Sequence, residues 1–562
     1  MDKRLMKIQY NNLAVVPQMV DQSGCNSKTE QMSEWIPEIL LTLKNYSLGS
    51  FFSDMKAGML VSVVAFPLFM TFAIASGVAP NIGILTCIVA GSLAGLFGGA
   101  RFQIVGPTGA FAMIVADIIK THGFEGMTCA LIMAGIMIVL FGIAKIGDLI
   151  HYVPYPITAG FTAGIGLSII MAQLGAFLGL TLPRAPTDFV DRVYCYFTNF
   201  GTMNLYSFVL AIFSLTFLVA IQKYKPKIPG YFCVVVIGIA YSLIFNNVGM
   251  ETIGTKFGDI ENHMPSLAIP DMFFSFSNLK KLFPAAFAIA FLGSLESLLG
   301  AVISDNLSGE KHRSNMELIG QGIANLGSAF CGGIPATCAL GTTSLNVKAG
   351  ARTPIAGLFN VVFIVLFMVC LGNFVKIVPL ASLASMMLYT AWNMAAFGKN
   401  KYILLAPKSD SMVFIATILI TILTDIVIAV EIGLVLSAFL FIKRSVETTT
   451  AETFSRVISN VYVHDKECEC VRISGHLFFG AAPILHDALK ALPKTHDTVY
   501  IDMQNVPFID VTGANVLKEF VAEVKGKNIE VFIGGLNKRT LKALKKMDIN
   551  GELQDHLSED RI

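Results

Sequence analysis

Long, almost charge-free apolar runs recur from about Ser50 to about Ile442, between a polar start and a mixed, charged tail. A helix needs roughly 20 apolar residues to cross a hydrocarbon core of about 30 Å, and the middle of the chain has room for many such helices. The runs are unequal. Tyr155 to Gly179, Pro284 to Ser304 and Ile355 to Leu371 are long, whereas others are short and interrupted by Gly and Pro, as in discontinuous membrane helices. Three zones follow: an N-terminal segment over 1–49, an all-α polytopic membrane domain over 50–445 and a C-terminal domain over 446–562.

Lys and Arg collect in short cytoplasmic loops, so their spacing reads as topology. Arg101, Lys145, Lys223 to Lys227, Lys311 with Arg313, Lys348 with Arg352, Lys399 to Lys408, and Lys443 with Arg444 fall in alternate connections. The short connections between them, around 79–82, 331–336, 372–378 and 424–426, carry only Lys376. This alternation predicts about fourteen segments in the cell (inner) membrane, with both termini cytoplasmic.

Composition narrows the function. With 54% apolar and 14% charged residues, a soluble fold could not hide its apolar surface, and the lipid bilayer is the expected surrounding. A net charge of +2 gives no reason to expect nucleic acid as a partner. Residues 1–44 lack a basic stretch followed by an apolar one, so no cleaved secretory signal is expected. The cysteines are scattered, and Cys468 and Cys470 lack the companion cluster of a zinc site, which predicts reduced thiols, no metal and no cofactor. There is no GxxxxGK[ST] sequence for ATP-driven pumping, and no His, Cys or carboxylate cluster of catalytic spacing, so an enzyme is not expected.

A faint internal repeat marks the candidate site. Phe97-Gly98-Gly99, followed by Pro107-Thr108, is echoed by Phe330-Cys331-Gly332-Gly333-Ile334-Pro335-Ala336-Thr337. One copy lies in each half, repeat one over about 50–250 and repeat two over about 280–445. Seven segments per half would invert one repeat relative to the other, bringing two broken helices to the membrane centre from opposite sides. The first break, Gly106-Pro107-Thr108-Gly109-Ala110-Phe111, and the second, Ala336 to Asn346, are small and hydroxyl-rich. Helices starting near Thr108 to Phe111 and near Gly341 to Thr343 would offer free amides and positive dipole ends to an anion. The same small residues would also suit close helix packing. Glu296 lies deep in an apolar helix, on a stripe with Gly293, Ser297 and Gly300 at i, i+3, i+4 and i+7. An ionised carboxylate is costly in a bilayer, so the residue is suited to bind a proton together with the substrate. The alternative is a neutral structural Glu hydrogen-bonded across helices.

The stretch Gly293 to Gly300, the run Lys311-His312-Arg313-Ser314-Asn315-Met316-Glu317-Leu318-Ile319-Gly320-Gln321-Gly322-Ile323-Ala324-Asn325, Gly106-Pro107-Thr108, Pro67 and Ser76-Gly77-Val78-Ala79-Pro80 together resemble the SulP anion transporters. The resemblance implies fourteen segments in two 7-segment inverted repeats, with a core domain carrying the anion between segments three and ten and a gate domain against it. It implies substrates among sulfate, bicarbonate, dicarboxylates, chloride and oxalate. The substrate-binding residues are expected to be Phe72, Gly109, Ala110, Phe111, Gly341, Thr342 and Thr343, with Glu296 coupling transport to a cation. Two positions depart from many relatives: Leu68 replaces Gln, and Thr342 stands where they carry Arg. Without that Arg, Glu296 must take up a proton or a metal ion to be neutral. Sodium-coupled bicarbonate relatives also lack the Arg, but carry Asp at 296 and a hydroxyl at 300. A proton is therefore the first expectation and Na+ the second.

The tail alternates strand-like and helix-like patterns: Val471 to Phe479, Leu485 to Leu492, Val499 to Asp502, Ala514 to Val524, Glu530 to Gly534 and Thr540 to Met547. This small α/β unit resembles the STAS domain. The phosphorylated hydroxyl of its soluble members corresponds to Val511 in Asp510-Val511-Thr512-Gly513, so a scaffold or protein-partner surface is expected instead of a phosphorylation switch. The whole reads as a homodimeric secondary transporter of small anions working by proton-coupled symport. The rivals are a sodium-coupled bicarbonate symporter, an uncoupled anion channel or exchanger, and a membrane anchor for a signalling STAS module.

Overall fold

The computed structural model describes residues 34–44, 46–147, 155–183, 189–225, 228–245, 249–258, 276–405, 408–423, 426–458, 466–490, 498–525, 529–548 and 553. The readings that touch Lys227, the connection at 424–426 and the start of the tail near Asn460 fall wholly or partly outside them.

In chain order the main helices are α1 (Leu48–Ala75), α2 (Pro80–Phe97), α3 (Gly109–Ile143), α4 (Tyr155–Leu178), α5 (Leu205–Tyr224), α6 (Gly230–Ile244), α7 (Phe276–Ser308), α8 (Ser314–Phe330), α9 (Leu340–Lys348), α10 (Ile355–Val375), α11 (Leu380–Ala395), α12 (Lys408–Leu423) and α13 (Ile426–Glu447). Gly123, at φ 71°, divides α3 into two helices, so that with the nine-residue α9 counted as a half-helix the labelled helices make fourteen segments among the described residues. Among the described residues, six of the helices are long and apolar enough to cross a membrane. Short helices at Phe189–Thr198, Ile253–Phe257 and Phe397–Asn400 join the long ones.

The chain forms two compact units, one comprising Met1–Val153, Ala159–Lys401 and Ile418–Ala429, the other Pro154–Thr158, Tyr402–Thr417 and Val430–Ile562. In the first unit, Pro67 lies inside α1, where a proline lacks the N–H of the helical ladder. The Thr71 hydroxyl donates to the Pro67 carbonyl (2.6 Å). The α1–α2 hairpin is tight, since a Cβ on Gly83 would meet the Phe69 carbonyl at 2.3 Å. Buried Asp54 joins α1 to the start of α10. Its Oδ1 accepts from the amides of Arg352 (2.6 Å) and Thr353 (3.2 Å), and its Oδ2 from the Thr353 hydroxyl (2.6 Å).

Two short strands, β1 (Val105–Gly106) and β2 (Thr337–Cys338), precede α3 and α9. They pair antiparallel, Val105 opposite Cys338 and Gly106 opposite Thr337. The chain therefore enters the two helices in opposite senses, as an inverted repeat requires.

The second unit holds a four-stranded sheet in the order β3 (Thr450–Ile458), β4 (Lys466–Ser474), β5 (Thr498–Asn505), β6 (Glu530–Gly534). The first pair is antiparallel and the other two are parallel. Helices α14 (Ala482–Lys490), α15 (Val511–Lys525) and α16 (Lys538–Met547) follow the later strands, and Val471, Ile473, Val499, Ile501, Leu517, Val521 and Ile533 share one buried core. The tail pattern captures this alternation but omits β3. It also places the first strand at Val471 to Phe479, where the chain has already turned out of the sheet after Ser474. The cause is the alternating polar composition of Thr450 to Ile458, an edge strand bonded on one side only.

Candidate functional site

The two helix starts lie where the sequence places them. Thr108 is the N-cap residue of α3 and Ala339 that of α9. The first-turn amides of Gly109 and Ala110, and of Leu340, Gly341 and Thr342, have no intrahelical acceptor. These two sets of donors flank the β1–β2 bridge and carry the positive ends of two helix dipoles.

Backbone and side-chain bonds hold the bridge. The Ala339 amide donates to the Ile104 carbonyl (2.9 Å), and the Ile104 amide to Thr343 Oγ1 (3.0 Å). Asn346 Nδ2 donates to the Phe102 carbonyl (2.9 Å). The hydroxyls of α9 are thus largely committed to the fold, since Thr342 Oγ1 donates to the Ala339 carbonyl (3.0 Å). Their backbone amides, not their side chains, are what α9 can offer a ligand.

The stripe on α7 faces both breaks. Glu296 is 5% exposed and accepts from Thr108 Oγ1 (3.2 Å). The Gly293 carbonyl accepts from Thr337 Oγ1 (3.0 Å). Cβ atoms built on Gly293 and Gly300 would lie 3.3 Å from the Phe111 ring and 2.1 Å from Cys338 Sγ. Glycine at 300 is therefore dictated by β2 passing against the helix. Phe72 and Phe111 are buried, and a Cβ on Gly109 would meet Phe72 at 3.2 Å. Phe72, Gly109, Phe111, Gly293 and Glu296 are thus gathered at the first break, and Ala110 is buried beside them. At the second, Thr342 and Thr343 are buried, while Gly341 is exposed and a Cβ there would meet nothing within 4 Å.

A buried polar layer behind this site escapes a reading confined to the breaks. Glu317 Oε2 accepts from the amides of Gly99 (3.0 Å) and Ala100 (2.9 Å), and Ser297 Oγ donates to its Oε1 (3.1 Å). Gln103 Nε2 donates to the Ser297 carbonyl (2.6 Å). Gln321 Nε2 and Asn325 Nδ2 both donate to the Ala336 carbonyl (2.7 and 2.9 Å), and the Ala336 amide donates to Asn325 Oδ1 (2.9 Å). Glu317, Gln321 and Asn325 follow one another at i, i+4 and i+8, a polar stripe legible in the sequence of α8. It fixes the approach to each break: Gly99 and Ala100 before the first, Ala336 before the second. Among the described residues, no group of three or more His, Cys, Asp or Glu side chains could hold a metal ion.

The chain matches the sequence model of the sulfate permease family over residues 51–417 and that of the STAS domain over 460–560. It is 38% identical over 504 residues to the putative sulfate transporter YvdB of Bacillus subtilis, covering 90% of this chain and 95% of that protein. It is 26% identical to the bicarbonate transporter BicA of a Picosynechococcus species, covering 88% and 90%. Among solved structures, murine Slc26a9, an anion transporter captured facing inward, superposes with a TM-score of 0.83 at 18% identity, covering 98% of this chain and 96% of that one. The fold, with its opposed half-helices and C-terminal STAS domain, is thus that of a known transporter architecture, and the chain belongs to the sulfate permease family of multi-pass membrane anion transporters.

Proposed function

We propose that this protein is a proton-coupled symporter of a small oxyanion, in the sulfate, bicarbonate or dicarboxylate class, working by alternating access in the cell membrane with both termini in the cytoplasm. The observation that carries the reading is the contact of Glu296 with Thr108, the N-cap of the first half-helix (3.2 Å). A carboxylate at that place competes with a bound anion for the same positive helix end. Loading a proton on Glu296 removes the like charge, so anion and proton enter the site together. The first-turn amides of α3 and α9 would hold the anion, Phe72 and Phe111 would wall the pocket, and no buried Lys or Arg is needed.

A sodium-coupled bicarbonate symporter is the second reading, supported by the likeness to BicA. Uptake of labelled sulfate, bicarbonate and succinate into proteoliposomes, under an imposed proton or sodium gradient, tests both. Acceleration by an inward proton gradient supports the first reading, and acceleration by sodium alone supports the second. Equilibration that follows neither gradient leaves an uncoupled channel or exchanger and removes Glu296 from its coupling role.

A further inference from the structure

The helix Phe189–Thr198 lies between α4 and α5 and has two unlike faces. Val190, Tyr194 and Phe197, at i, i+4 and i+7, are 69%, 65% and 79% exposed. Such a face suits a helix that lies in a membrane interface. The other face carries Arg192, Cys195 and Tyr196 at i, i+3 and i+4, and both Cys195 and Tyr196 are buried. Tyr196 fixes this face to α4 by donating from its hydroxyl to the Met171 carbonyl (2.9 Å). The Arg192 guanidinium is thereby turned inward, where Nη1 reaches Met113 Sδ at 4.0 Å.

Met113 lies four residues beyond Gly109, so the backbone of the residue that Arg192 reaches is about 6 Å along α3 from the first amide. Among the described residues no carboxylate lies within ion-pair distance of Arg192. The neighbouring charges are Asp191 on its own helix, whose carboxylate accepts from the Cys195 thiol, and Asp117 and Lys120, of opposite sign, which extend the Met113 stripe one and two turns further from the break. An arginine in this position has its planar set of donors available for an oxyanion, which it can engage in two parallel hydrogen bonds.

We propose that Arg192 is an anion-capture site on the α3 side of the half-helix pair, where a transported oxyanion binds before it passes Phe111 to reach the first-turn amides. The proposal rests on the transport reading above and adds a residue from an element that the two breaks do not include. Arg192 recruits the anion from one face of the membrane and plays no part in coupling.

The test uses the full-length protein in proteoliposomes, with labelled sulfate and labelled bicarbonate as probes. Influx and efflux are measured separately as a function of anion concentration and ionic strength. Arg192→Met keeps the unbranched stem and removes the charge. It should raise KM for entry from one face about tenfold at low salt, leave the maximal rate within about twofold, and converge on the wild type as salt screens the charge. Arg192→Lys should restore most of the affinity. Met113→Glu, which pairs the guanidinium internally, should raise the same KM and serves if Arg192→Met does not fold. A wild type that moves either probe while Arg192→Met and Met113→Glu keep its KM and salt dependence overturns the capture site alone. A wild type that moves neither probe, nor labelled succinate, overturns the transport reading and this proposal with it.

Discussion

At the first break a Cβ on Gly109 would press against Ile169 and Phe72 at 3.2 Å, whereas at the second a Cβ on Gly341 would meet nothing within 4 Å. The first half-helix is walled by aromatic and aliphatic side chains and touched by the carboxylate of Glu296. The second opens onto free space, and its hydroxyls are bonded back into the fold. Sequence makes the two breaks look equivalent, but their surroundings divide the work. The first break holds the titratable group and the wall, and the second presents bare backbone to whatever enters.

The strongest way to break this division is at Glu296. Glu296→Gln keeps an oxygen that accepts from Thr108 but cannot titrate. Proton-driven accumulation of the anion should disappear, while equilibrium binding and exchange persist. Concentrative uptake at the wild-type rate in this variant would return Glu296 to a purely structural role. Glu296→Asp probes the sodium reading, and a gain of sodium dependence would support it.

Next in size is a matched pair of substitutions. Gly109→Val must push Phe72 or Ile169 aside, so it should lower stability by about 1–3 kcal/mol and abolish binding. Gly341→Val has room for its side chain, so the thermal midpoint should hold while the shielded amides lose affinity by about tenfold. If both variants unfold alike, or both bind alike, the asymmetry of the two breaks is wrong.

Thr343→Val asks whether the second break supports the first. It strands the buried Ile104 amide without its acceptor, at a cost of about 1–3 kcal/mol. The expected result is a lower unfolding midpoint with a modest fall in affinity, measured by thermal denaturation and titration. The smallest effect should come from removing the STAS domain. The cut belongs before Thr450, because β3 is part of its sheet. Equilibrium anion binding should be unchanged, and loss of binding in a folded truncation would move the site.

Much of this arrangement is legible in the sequence. Gly and Pro at 106–109 and 332–335 marked the helix interruptions, and the spacing from Gly293 to Gly300 identified the face of α7 that meets them. What escaped depends on partners distant in the chain. Nothing local in Glu317 says that it will accept the amides of Gly99 and Ala100, 217 and more positions away. Pairing of β1 with β2 likewise needs two-residue strands, too short for any period to register. Strand β3 was hidden for the opposite reason: its polar, alternating composition looks like linker when its single partner is not in view.

The short β1–β2 bridge also bears on the thermodynamics of ligand binding. Its cross-strand pairing, with the Ile104, Ala339 and Thr343 bonds around it, fixes the directions of both sets of amides while the chain folds. A substrate arriving later finds its donors already aimed and has little backbone left to order. Binding should therefore carry a small heat-capacity change and little entropy loss from the protein. Anions of different shape should then differ in affinity mainly through the water they must shed.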